Sequence, residues 1–290
     1  MNIALVIYLD KGAYDSTTVE SEDDKLLNFL KEKGLNIEKV IWNDRDINWE
    51  DYSLAILKSP WDYFDLIEEF YHWLDHLEAK KVKLLNPIDV VRWNANKQYL
   101  REIEAAGLKI TPGFFVQNKE SVNLEYFFEK FNTSKLIVKP CVSGGAKNTF
   151  KVTAENVEEV NQKLNLLIQD EDFIIQPFLP EILESGEWSF IFFNGMYSHS
   201  LIKKAKPGDF RVQPAHGGSV HPQKPGAELI ATAEQYVKLF AKNCLYARVD
   251  GTFVNGEFLL MELELIEPFL FLNTDPQNYE RYYTALLELM

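Results

Sequence analysis

Ile3-Ala4-Leu5-Val6-Ile7-Tyr8-Leu9 is an apolar run with no alternation. Successive side chains of a strand point to opposite faces, so a strand of this composition is buried on both sides, as inside a parallel sheet. Parallel neighbours need a crossover, and residues 23–33 supply it, with Leu26, Leu27 and Leu30 at helical spacing and Gly34 as the stop. Strands at 37–41 and 54–58 and a helix at 66–79 continue the βαβ pattern. The first lobe is therefore expected to be a small open α/β sheet with its ligand crevice beyond the carboxyl ends of the strands. Lys58-Ser59-Pro60-Trp61-Asp62-Tyr63 falls at that edge, suited either to substrate contact or to a structural Pro-Trp turn.

Asn86-Pro87 closes this lobe, and a helix over 96–106 ends at Gly107 before the punctuation of Thr111-Pro112-Gly113. A second lobe alternates strands at 135–139, 149–152 and 173–176 with a helix at 154–168. The third part carries strands at 187–193 and 198–203, a loop, a helix at 227–242, two acidic strands and a last helix at 277–289. Single cores stop growing near roughly 250–300 residues, so a chain of 290 suits two or three lobes. The expected divisions are 1–86, 87–177 and 178–290.

A net charge of -14 argues against nucleic-acid binding and against an anionic membrane surface, both of which need a basic footprint. Cys141 and Cys244 make no disulfide framework and have no metal-ligand spacing, which fits packed thiols in a reducing compartment. The amino-terminal run is too short for a signal peptide or a membrane span, and a cytoplasmic protein is expected. The 20 Phe, 13 Tyr and 6 Trp suit either the core or a homodimer face.

The chemistry concentrates toward the carboxyl end. Tyr246-Ala247-Arg248-Val249-Asp250-Gly251 and Leu260-Met261-Glu262-Leu263-Glu264 set carboxylates into apolar, strand-like sequence. Alternation puts Arg248 and Asp250 on one face, and likewise Glu262 and Glu264. Such carboxylates suit Mg2+, which takes oxygen ligands and borrows others from phosphates; the alternative is the wet face of an amphipathic hairpin.

Lys139 ends a strand and leads into Pro140-Cys141-Val142-Ser143-Gly144-Gly145-Ala146-Lys147, where small residues let backbone N–H groups approach a phosphate. It lacks the Walker ending, and Ser-Gly-Gly also serves as a plain hairpin turn. Gln176-Pro177-Phe178-Leu179 offers backbone groups and a flat ring to a purine, and Glu187 suits ribose hydroxyls; a hinge with a surface acid is the plainer alternative. The segment from Lys206 to Gly218 is hardest to explain as scaffold: Arg211 is a fork-shaped phosphate partner, Gln213 shares its face if extended, and Gly217-Gly218 adds a donor-rich turn. His216 fits a hydrogen-bonding bystander better than a base.

Together these motifs resemble the ATP-grasp superfamily, and within it prokaryotic glutathione synthetase and the ribosomal-protein glutamate ligases, from about Asn86 to about Phe271. The resemblance implies a Rossmann-like pre-domain followed by two lobes clamping ATP. It implies that Lys97 and Lys139 contact the phosphates, that Ser143, Gly144, Gly145 and Ala146 form the lid, and that Gln176, Phe178 and Leu179 form the adenine hinge. Glu187 matches the ribose acid, with Gln213 beside the nucleotide, and Arg211 matches the arginine on the transferred phosphoryl group. Asp250, Glu262 and Glu264 match the metal ligands, although the family more often has Asn at the last position, and the extra charge bears on the count of metals. Lys203 and Arg248 offset that charge and orient a substrate carboxylate or phosphate. The implied cofactors are ATP and Mg2+, two ions by the family pattern, with Mn2+ as a substitute. Ser59-Pro60-Trp61-Asp62-Tyr63, Asp209-Phe210-Arg211-Val212-Gln213 and Ala247-Arg248-Val249-Asp250-Gly251 are similar to the stand-alone group that includes the cyclo-ligase of cycloserine biosynthesis.

The implied activity joins a small-molecule carboxylate to an amine through an acyl phosphate, with positioning and charge neutralisation as the means of catalysis. The rivals are a nucleotide-binding regulatory module and a phosphotransferase that stops at a phosphorylated product.

Overall fold

A computed structural model describes residues 1–10, 17–213 and 216–290, and side chains of its first helix from Glu22 onward. Pro214 and Ala215, two members of the arginine segment, lie outside the described residues.

The first sheet is parallel and runs β2-β1-β3-β4, from β1 (Ile3–Ile7), β2 (Ile37–Ile41), β3 (Leu54–Ser59) and β4 (Lys83–Leu85). Helices α1 (Thr17–Glu32) and α2 (Ile67–Ala79) accompany it. Helix α1 starts at Thr17, well before residue 23; Thr17–Ser21 has one apolar residue, Val19, and so shows no apolar period by which the sequence could mark the start. Strand β3 is buried along its whole length, Lys58 and Ser59 included. Lys58 therefore does not reach a ligand edge. It lies 3.1 Å from Glu22 and 3.0 Å from Asp23 of α1, which supply the counter-charge that a buried ammonium requires. Trp61 and Tyr63, from the same motif, do face the cleft described below.

After α3 (Ile88–Asn94) and α4 (Tyr99–Ala105), the second sheet is antiparallel in the order β5-β8-β6-β7. Its strands are β5 (Phe114–Val116), β6 (Leu136–Pro140), β7 (Phe150–Val152) and β8 (Phe173–Pro177), and Val157, Val160 and Leu164 of α5 (Val157–Leu167) join its core. The third sheet is antiparallel in the order β11-β10-β9-β12-β13. It comprises β9 (Glu187–Phe193), β10 (Met196–Lys204), β11 (Ser219–Gln223), β12 (Tyr246–Val254) and β13 (Glu257–Glu264). Strand β11 occupies part of what the sequence suggests is loop.

The last helix, α6 (Gln277–Leu289), returns to the first sheet, so that Tyr282 and Leu286 share a core with β1 and β3. Asn86 ties the same junction: its side chain donates to the carbonyls of Tyr246 at 2.9 Å and Leu265 at 2.8 Å. Tyr246 Oη donates to the carbonyls of Leu57 and Ile266. Each such group, left unpaired in the interior, would cost about 1–3 kcal/mol, so these bonds hold the first sheet and the third in one register. No helix among the described residues is long and apolar enough to cross a membrane.

Candidate active site

The floor of the site follows from strand pairing. On β12 and β13, Arg248 stands opposite Glu264 and Asp250 opposite Glu262, so the two pairs deduced from alternation share a single face. The row continues sideways, with Asp250 opposite Ser189 on β9 and Glu187 opposite Lys203 on β10. Lys203 Nζ reaches Glu187 at 2.5 Å and Asp250 at 2.9 Å, while Arg248 Nη2 donates to Asp250 at 2.8 Å and pairs with Glu264. Ser189 Oγ donates to Asp250 Oδ1 at 2.6 Å. Burial alone would raise the carboxyl of Asp250, but Arg248 and Lys203 outweigh it and hold the group well below the usual carboxylate range.

The roof is the second sheet. Lys139, on β6, crosses the cleft to Glu262 at 2.7 Å, and its charge, with that of Lys97, overcomes burial and lowers Glu262 to about 2. Lys97 Nζ donates to the Ser143 carbonyl at 2.8 Å, and among the described residues no acid pairs with it. The loop after β6 lies close against the first sheet's unit: a Cβ added to Gly144 would come within 2.4 Å of the Phe64 ring, and Lys147 pairs with Asp65. His216 Nε2 donates to the Gly145 carbonyl at 3.5 Å. Gln176 Nε2 donates to the Thr111 carbonyl, Phe178 is buried, and Arg211 is held by Asp209 through Nε at 3.1 Å and Nη2 at 2.8 Å. Gln213 Oε1 is buried and has no hydrogen-bond partner among the described residues, and Gln213 lines the cavity described next.

One cavity of about 280 Å3 is lined by Lys97, Lys139, Ser143, Gly144, Gly145, Ala146, Gln176, Phe178, Leu179, Glu187, Lys203, Arg211, Gln213, Arg248, Asp250, Glu262 and Glu264. The structure thus brings every residue expected at the site to one cleft. Two expectations change in detail. Lys203 and Arg248 are buried and turned to the chain's own acids, so they compensate charge in the floor and do not present free cations to a substrate. Asp250, in turn, has both oxygens engaged, and among the described residues no three His, Cys, Asp or Glu side chains are gathered as a metal-ligand group.

The donor chemistry still fits magnesium. All three acids offer hard oxygens on one face. Burial, only partly offset by Arg248, pushes Glu264 up to about 7, with the charges of Asp250 and Glu262 adding to the rise, and a divalent cation would favour its ionised form.

Residues 106–254 match the ATP-grasp domain of prokaryotic glutathione synthetase. The chain belongs to the ATP-grasp family. It is accordingly an ATP-dependent ligase that joins a carboxylate to an amine. Residues 3–86 match the N-terminal domain of D-cycloserine synthetase DcsG. Over 292 residues the chain is 23% identical to the cycloserine biosynthesis protein DcsG of Streptomyces lavendulae, covering 94% of this chain and 95% of that protein. The crystal structure of D-cycloserine synthetase DcsG superposes with a TM-score of 0.85 at 22% identity over 100% of both chains. The D-alanine–D-alanine ligase of Bacillus anthracis in complex with ATP gives 0.72 at 15% identity, over 100% of this chain and 97% of that one.

The ATP-grasp cleft also holds residues that the sequence did not single out. Asn94 donates to the Leu263 carbonyl at 2.7 Å and accepts from Leu265 N–H, and Tyr99 Oη accepts from Leu263 N–H. Both therefore steady the strand that carries Glu262 and Glu264, across separations where no local pattern exists. Glu267, Phe269 and Phe271 line the cavity just beyond β13, where alternation has ended.

Proposed function

We propose that this ATP-grasp ligase forms an amide through an acyl phosphate on a small amino-acid-like or peptide substrate, using Mg-ATP. The observation that carries the reading is the opposition of Lys97, Lys139 and Arg211 to Asp250, Glu262 and Glu264 around one cleft. Five cations and five acids line that cleft, so it is formally neutral. ATP brings roughly four negative charges, and a carboxylate brought up to it adds another, so divalent cations must enter with the nucleotide. Bound magnesium, two ions in this reading, would neutralise the β- and γ-phosphates.

In this reading the chain's residues position and compensate. Lys97 and Lys139 hold phosphate oxygens, residues 143–146 cover them, and Gln176, Phe178 and Leu179 receive the adenine, with Glu187 and Gln213 beside the nucleoside. Arg211 stabilises the phosphoryl group in transfer. Glu262 and Glu264 would hold the metal with Asp250, whose orientation Lys203 and Arg248 set. The substrate carboxylate attacks the γ-phosphoryl group, ADP leaves, and an amine displaces phosphate.

The match of residues 3–86 to a cycloserine synthetase domain and the fold shared with a D-alanine ligase support an amino-acid-like substrate, joined to a second molecule or cyclised. The three sheets support the divisions 1–86, 87–177 and 178–290 as pre-domain, small lobe and large lobe. The acidic net charge supports work on small molecules in the cytoplasm, as a monomer or homodimer, and not on nucleic acid or membranes. ADP release across a screen of amino acids and short peptides, with hydroxylamine present, tests the reaction. A hydroxamate marks the acyl phosphate; Mg-ATP binding with no ADP release points to a regulatory module, and ADP release without hydroxamate points to the phosphotransferase.

A further inference from the structure

Four of the five acids lining the cleft are engaged by the chain itself. Glu187 pairs with Lys203, Asp250 with Lys203 and Arg248, Glu262 with Lys139, and Glu264 with Arg248. Glu267 is different. Among the described residues no hydrogen bond or ion pair reaches its carboxylate, and only its backbone carbonyl is used, accepting from Trp61 Nε1 at 3.2 Å. The cavity lining near it is aromatic, with Trp61 and Tyr63 from the turn after β3 and Phe269 and Phe271 from the segment after β13. Phe269 and Phe271 meet edge to face with centroids 4.8 Å apart, so this wall is a packed unit.

Burial, then the charge of Glu264, push this carboxyl up to about 8, so it keeps its proton near neutral pH unless a cation arrives to pair with it, and a cationic guest is what would draw out the carboxylate form. Ring faces attract cations, so acid and wall favour the same guest. An anion is disfavoured here by Glu267 itself, and a neutral apolar group would leave the carboxylate desolvated and unpaired.

Resting on the ligase reading above, we propose that Glu267 and its aromatic wall receive the ammonium group of an amino-acid substrate. The ligase then takes its substrate as a zwitterion and discriminates against the same carbon skeleton without the amine. The amine held there remains protonated and is not the nucleophile, so a different nitrogen, on the same molecule or on a second one, forms the new bond.

Glu267→Gln keeps the shape and removes the charge. Equilibrium binding of both enantiomers of the common amino acids is measured in the presence of Mg2+ and a non-hydrolysable ATP analogue, then repeated with the amine-free counterpart of the best binder. The expected result is a loss of about 100-fold in affinity for the amino acid in the variant, as for a charged pair broken in a desolvated site. The amine-free counterpart should bind equally weakly to both proteins, and the thermal shift produced by Mg-ATP should be the same in both. The proposal is overturned if no amino acid binds, if the amine-free compound binds the wild type as tightly as the amino acid, or if the variant loses Mg-ATP affinity instead, which would make Glu267 a metal ligand. ADP release by the wild type with the best binder is read separately. Amino-acid binding without ADP release would sink the ligase reading and leave the ammonium site standing.

Discussion

Asp250 is the point at which stability and chemistry are most tightly joined, and Asp250→Asn separates them. The residue is 2% exposed, and its two oxygens accept from Ser189, Lys203 and Arg248. Asparagine preserves the volume, yet it removes the charge and leaves Lys203 and Arg248, which can only donate, with fewer acceptor sites to meet. Lys203 and Arg248, both buried, would keep only Glu187 and Glu264 as counter-charges. Breaking a buried pair from one side costs about 3–5 kcal/mol, which for a chain of this length lowers the melting temperature by roughly 6–10 °C. Because the folded-state carboxyl is depressed, its contribution is complete above the unfolded value near about pH 4 and is lost as pH falls through the lower folded value. The difference between wild type and variant should thus persist at pH 5 and close only under stronger acid. Thermal and urea denaturation without nucleotide measure it, and the double variant with Lys203→Met should recover part of the loss, since it removes one uncompensated cation. A melting temperature within 2 °C of wild type would refute the idea that Asp250 neutralises the floor.

Arg211 makes the opposite case: its side chain is 38% exposed and its paired acid is Asp209, so Arg211→Ala should leave stability within about 0.5 kcal/mol while turnover falls about 10³-fold; near-normal ADP release would count against its role at the phosphoryl group. Gly144→Val places a side chain against the Phe64 ring and should hold the lid open, raising KM for ATP with little change in melting temperature, and Phe64→Ala in the same chain should restore part of the affinity. His199 Nε2 faces the Leu270 carbonyl and must donate, so Nδ1 accepts from Ser198, which requires the neutral ring. Burial lowers its pKa to about 4, so the folded state disfavours the proton and stability falls as pH drops from about 6.5 toward 4, by roughly 3 kcal/mol in all. His199→Gln should flatten that limb in urea titrations, and an unchanged limb would place the acid sensitivity elsewhere.

The long strands and amphipathic helices were legible because a period of two or of 3.6 needs several residues to express itself. Strands β4 and β5 have three residues each and show no period. Polarity concealed β11, whose Ser219–Gln223 carries one apolar side chain, Val220, and survives by pairing with β10. The charged residues of the site were legible as residue types, and alternation oriented them, but alternation assigns a direction and not a neighbour. Whether Arg248 meets a ligand or Asp250, and whether Lys58 meets solvent or the acids of α1, depends on pairings across tens of residues that no local pattern encodes. Glu267 escaped for the complementary reason. It stands after the last paired residue of β13 and before Pro268, where the strand rule no longer applies, and its meaning lies in what the fold withholds from it. Each neighbouring acid has a cation from another strand, and an acid that the fold leaves without one is where a ligand's own charge has work to do.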